Sequence, residues 1–418
     1  MKSVKKLLTK LIFKLSPRLR YKVIRSLLKL QYDLPNDLCV KLADTEQELQ
    51  AAFELLHDSY VQQGYMQPQL YKLRATFFHL LPSTSLIIAK KGDDVIGTVS
   101  IIRDSPHGLP LEKDFNLNHL RKNNQVISEI SSLAIHRDYR GQHGLVLFPL
   151  LKFMYNYCKY YFATDIMVLA THPKLSDFFE AILLFKSIED KVVENYGFVN
   201  GSPAVGKYLD LKLAPMMYAA VYGLKSNNKN LYKFMVPEEH GGTDFQNLKY
   251  PLRVDYRLFD TKITGKTFEE IFVNKVEILK SINNEQAKFL ISYYGHDSSN
   301  ESVKKLCKII KWKDKRIMEP RYSVQCPVQI FNASNQLIGQ TTANNLSVQG
   351  LSILNSKVVN KDEVYKLRIA LSQFDVCELT AACVWNTNKN MGLRIIDSPQ
   401  EWKDYIQNLS SSSNIMAA

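Results

Sequence analysis

Glu129 stands inside Val126-Ile-Ser-Glu-Ile-Ser-Ser-Leu-Ala-Ile135, a stretch otherwise made of apolar and small residues. A carboxylate has no easy structural role there. Burial raises the pKa of a carboxyl group until it can take the proton of an attacking amine, directly or through water. The stretch continues through His136-Arg-Asp-Tyr into Arg140-Gly141-Gln142-His143-Gly144 and an apolar helical pattern. A glycine-bearing turn that opens a helix aims backbone N–H groups and the positive helix end at an anion, so residues 140–144 suit a phosphate. A proton-accepting carboxylate behind a phosphate-holding turn is the equipment for moving an acyl group from a thioester to an amine. The competing reading makes Glu129 a salt-bridged strand residue.

A second constellation lies two hundred residues on. In Asn345-Leu-Ser347-Val-Gln-Gly350 two short polar side chains and a glycine end a strand, which offers donors to a phosphate and a base edge while glycine allows close approach. Upstream, Lys315-Arg316-Ile317-Met-Glu-Pro-Arg321 leads into the preceding strand. Arginines so placed clamp phosphate bidentately and stack on guanine.

The elements around the first constellation must form an α/β domain. Leu38, Val40 and Leu42 alternate in a short strand, and Thr45 caps a helix running to about residue 60. Residues 84–90 and 95–102 form a hairpin around Gly-Asp-Asp. A helix is expected near 112–122, a central strand over 126–135, a helix over 145–162, a strand over 165–171, a helix over about 175–185, and closing strands near 193–198 and 206–212. Residues 224–310 read as a polar helical connector with one long helix over 267–294. From Arg321 the apolar period changes to two, and short strands run to Ile396 before a single helix at 401–408, the pattern of a small β-barrel. The expected class is α+β: a mixed sheet with flanking helices, a helical connector and a small barrel. The boundaries fall at 1–35 (basic helices), 36–223, 224–312, 313–400 and 401–418 (terminal helix and a Ser-rich tail).

At 418 residues the chain exceeds one ordinary core, and its 45% apolar and 23% charged residues are those of a globular protein. Six cysteines stand far apart with no zinc spacing, which suits reduced, buried thiols in a cytoplasmic protein and excludes a disulfide framework and a structural metal. No run of eighteen apolar residues exists. The formal charge of +13 is concentrated: residues 1–32 hold ten Lys/Arg and no acid, with Leu7, Leu8, Leu11, Ile12 and Leu15 at helical spacing. This segment either lies on an anionic membrane surface or acidic partner, or packs on the domain with a solvated basic face. Nothing in it reads nucleic acid.

The element order and Glu-Ile-Ser-Ser-Leu-Ala-Ile-His-Arg-Asp-Tyr-Arg-Gly resemble a GNAT-fold acyltransferase. More narrowly, they resemble the FeeM-type N-acyl amino acid synthases, relatives of the acyl-homoserine lactone synthases. His57-Asp-Ser-Tyr-Val-Gln-Gln-Gly-Tyr65, the loop from Asp104-Ser105 to Gly108-Leu109-Pro110, and Asn200-Gly-Ser-Pro-Ala-Val205 support it, over about residues 38–215. The resemblance implies transfer of a fatty acyl chain from acyl carrier protein, borne on phosphopantetheine rather than on coenzyme A, to an amino acid or similar amine. It implies no metal and no tightly bound cofactor. Glu129 is then the base, and residues 140–144 hold the phosphate, although His143 stands where the family turn has glycine. A tyrosine often serves such folds as general acid; the matching position here is Phe179, which has no proton to give. His172 is the nearby candidate for that role, with a structural histidine as the alternative. Tyr60 and Tyr65 read as core or groove lining.

Residues 315–398 resemble a PilZ domain, which implies cyclic di-GMP as effector, bound through Arg316, Arg321, Asn345, Ser347 and Gly350. The family pattern Arg-x-x-x-Arg places Ile317 at its first arginine, with Arg316 one residue early. Two functions follow: an N-acyltransferase tuned by cyclic di-GMP, or an inactive acyltransferase-like effector that binds cyclic di-GMP, lipid or a protein. Either is expected in the cytoplasm, with peripheral attachment to the inner membrane if residues 1–32 meet lipid.

Overall fold

The computed structural model describes residues 15–105, 107–121, 125–251, 263–294, 321–356, 358–372, 374–387 and 390–411. Arg316, Ile317, Cys307 and the first basic segment lie outside the described residues. The chain divides into two compact units, residues 1–78 with 84–250, and residues 79–83 with 251–418. No helix among the described residues is long and apolar enough to cross a membrane.

The first unit is built on a seven-stranded mixed sheet of order β1-β2-β3-β4-β5-β7-β6, comprising β1 Leu38–Leu42, β2 Thr84–Lys91, β3 Asp94–Arg103, β4 Ile127–Ile135, β5 Ile166–Thr171, β6 Lys186–Ser187 and β7 Val205–Asp210. All pairs are antiparallel except β4 with β5. Helices α1 Pro17–Ser26, α2 Glu46–Gln63, α3 Leu147–Asn156, α4 Ser176–Ala181, α5 Ala214–Tyr222 and α6 Leu231–Met235 flank the sheet. The Thr45 hydroxyl accepts from the Glu48 amide to start α2, as the sequence predicts, and Gly64 ends it in the left-handed region at φ 75°.

Helix α1 uses part of its charge inward. Arg20 pairs with Asp177 at 3.0 Å, Tyr21 bonds Glu180, and Arg25 Nε donates to the Ala181 carbonyl at 2.7 Å, so a cation and a phenol dock on α4 and a second cation meets its carbonyl end. The packed-helix reading therefore describes residues 17–26.

Five segments differ from their sequence-based expectation. Residues 112–122 do not form a helix: a 3₁₀ turn over Pro110–Lys113 gives way to an Asn116 side chain that accepts from the Asn118 amide, a local bond that competes with helix propagation. Helix α4 stops at Ala181 because Leu184 turns left-handed at φ 59°. Residues 193–198 make one bridge, Val193 to Ala204, and then curl through Asn200 and Gly201, both at positive φ. The edge strand is instead the two-residue β6. The α-helix expected over 145–162 runs 147–156 and continues as a π turn over Tyr157–Tyr161. The long helix over 267–294 is broken: a π stretch Phe268–Lys275 is followed by Glu277 at φ 54°, and α7 Asn284–Tyr294 starts afresh. Its start is a reciprocal cap, Asn283 Oδ1 accepting from the Gln286 amide and Gln286 Oε1 from the Asn283 amide.

In the second unit, β8 Tyr322–Phe331, β9 Leu337–Leu346, β10 Gly350–Leu354, β11 Val364–Ala370, β12 Val376–Asn386 and β13 Asn390–Asp397 close a barrel of order β10-β13-β12-β11-β8-β9. Its inward residues alternate along each strand, as in Val324-Cys326-Val328-Ile330. The last helix, α8 Gln400–Ser411, belongs to that core: Trp402, Ile406 and Leu409 are buried in it, and Trp402 Nε1 donates to the Val348 carbonyl at 3.2 Å.

Candidate active site

The parallel ladder between β4 and β5 has only three rungs, Ile127 with Ile166, Ser128 with Met167 and Glu129 with Val168. Both strands continue, β4 to Ile135 and β5 to Thr171, but they part. The cause lies in β4: Ser132 adopts φ 55°, and the register with β3 shifts between Thr98 and Ser100. A bulge of this kind bends the strand and re-aims its side chains. The split opens a cavity of about 170 Å³ edged by Glu129–Leu133 and Leu169–His172, with Leu151 and Met154 of α3 and Phe179, Leu183 and Phe185 on its apolar walls. Tyr60, Tyr65, Tyr196 and Phe198 also line it.

Glu129 lies at the point where the strands separate, only 2% exposed. Its Oε2 accepts from the Leu111 amide at 2.9 Å. No cation among the described residues forms a salt bridge with it, so the ion-paired reading gives way to a carboxyl held by one backbone donor. Burial pushes its pKa well above the ordinary carboxylate value, the Glu112 charge adds to the rise, and the Leu111 hydrogen bond opposes it. Glu112 is itself fixed: Arg121 Nη1 donates to its Oε1 at 2.5 Å, the Leu109 amide donates to its Oε2 at 2.7 Å, and Arg121 Nε reaches Asp104 at 2.8 Å.

His172 sits at the cavity edge, where its Nδ1 accepts from the Lys174 amide at 3.1 Å and caps a short turn. Burial and the Lys174 charge lower its pKa, so the ring is neutral near pH 7. Phe179 is on the wall, edge-on to Phe178 and Phe185. Tyr60 and Tyr65 line the cavity, and burial pushes both phenols up.

The turn ahead of α3 is wound tightly: Gly141, His143 and Gly144 all have positive φ. Only glycine fits at 144, where a Cβ would meet the Phe148 ring at 2.4 Å. Arg140 anchors the turn through Nε to the Ile135 carbonyl at 2.7 Å, Nη1 to Gln62 at 2.8 Å and Nη2 to Ser59 at 3.1 Å. The Gln142 side chain donates to the Asp138 carbonyl at 2.8 Å. The amides of Gly141, Gln142 and Gly144 have no acceptor among the described residues. These amides, rather than the Arg140 or Gln142 side chains, are the donors an anion would find.

In the barrel, four of the five singled-out residues converge where β8 starts and β9 turns into β10. Arg321 Nη1 donates to Asn345 Oδ1 at 3.0 Å, while Ser347 Oγ bonds both the amide and the carbonyl of Gly350 at 3.1 Å. A Cβ on Gly350 would stand 3.0 Å from the Leu393 carbonyl and 3.8 Å from Arg321 Nη2.

Sequence reasoning missed three participants. The Leu111 amide and the Ser132 bulge leave no mark in residue type, because both are backbone features. Arg74, which packs on the Tyr60 and Phe198 rings behind the lining, lies in Lys72-Leu-Arg-Ala-Thr-Phe-Phe and carries only a weak signal, a cation beside an aromatic run.

Residues 51–210 match the family model of the N-acyl amino acid synthase FeeM, and residues 315–412 match that of the PilZ domain. No curated protein matches the chain. Among solved structures, FeeM from uncultured soil microbes is 23% identical over 43% of this chain and 93% of its own, with a TM-score of 0.37. YncA of Salmonella typhimurium, a putative acetyltransferase with acetyl-CoA, is 14% identical over 42% and 95%, at 0.30. The PilZ domain of Escherichia coli YcgR with c-di-GMP is 15% identical over 24% and 95%, at 0.21. The family matched over residues 51–210 is an acyltransferase, an N-acyl amino acid synthase, and the matched residues carry most of the seven-stranded mixed sheet. The chain carries an N-acyl amino acid synthase domain of the FeeM type together with a PilZ domain.

Proposed function

We propose that the protein moves a fatty acyl group from the phosphopantetheine arm of acyl carrier protein to the amine of an amino acid, under the influence of cyclic di-GMP on its barrel. The observation that carries the reading is Glu129, a buried carboxyl with a raised pKa and no counter-charge among the described residues, at the apex of a cavity with apolar walls.

The thioester arm lies in the split, where β4 and β5 past Glu129 no longer pair with each other and their edges face the arm's amides. The amides of Gly141, Gln142 and Gly144 take its single phosphate, helped by the dipole of α3. Three amides match one phosphate better than the several of coenzyme A, which favours the carrier-borne donor. The acceptor nitrogen attacks the thioester carbonyl and forms the C–N bond, Glu129 takes its proton through water, and the C–S bond breaks as the tetrahedral intermediate collapses. The departing thiolate takes a proton from the now protonated Glu129 or from water, so a tyrosine at position 179 is dispensable. Carrier proteins are acidic, and the exposed Arg18, Lys22 and Lys29 on or just after α1 give them a basic surface to approach. The same charge would hold the amino-terminal segment on an anionic inner-membrane surface.

On the barrel, Arg321 and Asn345 supply a phosphate clamp and an edge donor beside Gly350. Arg316, five positions before Arg321 in the sequence, would be the second arginine of the clamp.

Lipids extracted from cells expressing the wild type should contain N-acyl amino acids, and cells expressing E129Q should not. Equal amounts from both would end the catalytic assignment. For the barrel, calorimetric titration of the full chain with cyclic di-GMP should show binding that Arg321→Ala weakens by about tenfold or more, the worth of one charge-assisted contact. No heat with the wild type would sink the effector reading.

A further inference from the structure

Arg74 is a cation packed against two residues of the wall of the acyl-transfer cavity. Its guanidinium carbon lies 4.0 Å from the centre of the Tyr60 ring and 5.1 Å from that of Phe198, two residues that line the cavity. Nη2 donates to the Phe198 carbonyl at 2.8 Å, and the Arg74 amide donates to the Phe53 carbonyl at 3.1 Å, which fixes the loop against α2. Its partners are therefore two aromatic faces and a carbonyl, all neutral. No carboxylate among the described residues pairs with Arg74, in contrast to Arg121, which holds two. A guanidinium held between rings is weakly hydrated, and an arginine partly removed from water without an anion gains strongly when one arrives. The same Tyr60 that stacks on Arg74 is close enough to Glu129 for the carboxyl's charge to raise its pKa. Tyr60 thus touches a guanidinium on one side and lies within electrostatic range of the base on the other.

We propose that Arg74 receives the α-carboxylate of the acceptor and is the residue that makes an amino acid, rather than a simple amine, the substrate. The inference rests on the reading of Glu129 as base toward an amino acid. An α-amino acid carries its amine and carboxylate on one carbon, so a fixed guanidinium at one end orients the nitrogen toward the carboxyl at the other. The planar fork suits a carboxylate bidentately, and Tyr60 and Phe198 hold its plane in place.

The test uses the full chain, long-chain acyl carrier protein as donor, and the proteinogenic amino acids paired with their carboxamides. The wild type should prefer the best acid over its amide by about tenfold or more in kcat/KM, the worth of a charge-assisted pair. R74Q keeps a donor for the Phe198 carbonyl. It should raise KM for the acid by a similar factor and so abolish the preference, and R74K should retain part of it. R74Q that preserves the acid-to-amide ratio, or lowers both rates equally, would overturn the assignment of Arg74 while leaving Glu129 untouched. A wild type that acylates neither acceptor would overturn the underlying reading, and this one with it.

Discussion

Leu111 and Glu129 are joined by one hydrogen bond, backbone amide to Oε2 at 2.9 Å, across eighteen positions of chain. It is the one donor that the carboxyl has among the described residues, and it comes from a 3₁₀ turn held by the Arg121 bridge between Asp104 and Glu112. The loop thereby positions the proposed base without neutralising it.

That arrangement sets the pH behaviour of Glu129→Gln. Because burial raises the folded pKa, the protonated form is favoured in the folded state, and the associated stability is present below the unfolded value and lost as pH rises through the folded one. Glutamine keeps an oxygen for the Leu111 amide and has no proton to lose. E129Q should therefore match the wild type in denaturation at acid pH and exceed it above the raised pKa. Its kcat/KM should fall by about 10²–10⁴, the usual worth of a general base. The wild-type rate should climb with pH along a limb lying above the ordinary carboxylate range. A limb at that ordinary range, or a stability difference that is the same at every pH, would contradict the raised carboxyl.

Gly144 makes a second, independent demand. Alanine there must hold φ 75° and place a methyl against the Phe148 ring, at a cost of about 1–3 kcal/mol. Relieving the clash by shifting the turn moves the free amides, so donor KM should rise about tenfold. His143→Gly is the control, since His143 already sits at φ 50° and glycine adopts that region freely. Donor KM unchanged in G144A would remove the phosphate from this turn.

Much of this was legible beforehand. Alternation in 38–42 and 84–102, the Thr45 cap, and the shift to period two after Arg321 each follow from residue type, and each element formed. That Glu129 is buried and that 140–144 is a tight turn were legible for the same reason: a carboxylate among apolar residues and glycines ahead of a helix are anomalies of composition. What escaped was set by backbone conformation. Glu277 and Leu184 take left-handed φ values that their side chains do not announce, and they cut short two helices whose apolar patterns ran on. The cavity exists because Ser132 bulges, and serine is unremarkable in a strand.

The barrel offers a prediction of a different kind. Trp402 is fully buried among strand residues of the barrel, although its helix follows the last strand. Trp402→Ala should destabilise the barrel by about 3–5 kcal/mol, read by chemical denaturation of the full chain. Its indole also bonds the Val348 carbonyl in the turn that carries Ser347 and Gly350, so affinity for cyclic di-GMP should drop as well. A variant as stable as the wild type would show that the helix is an ornament on a self-sufficient barrel.

The docking of α1 on α4 ties two stretches more than 150 positions apart into one lever. Helix α4 is six residues long, and Phe179 on its inner side is part of the cavity wall while Asp177, Glu180 and Ala181 are grasped by α1 from the other. So short a rod cannot absorb displacement along its length. A displacement of α1 is therefore handed on to Phe179, and the shape of the cavity is tied to the position of a helix that contributes nothing to its lining.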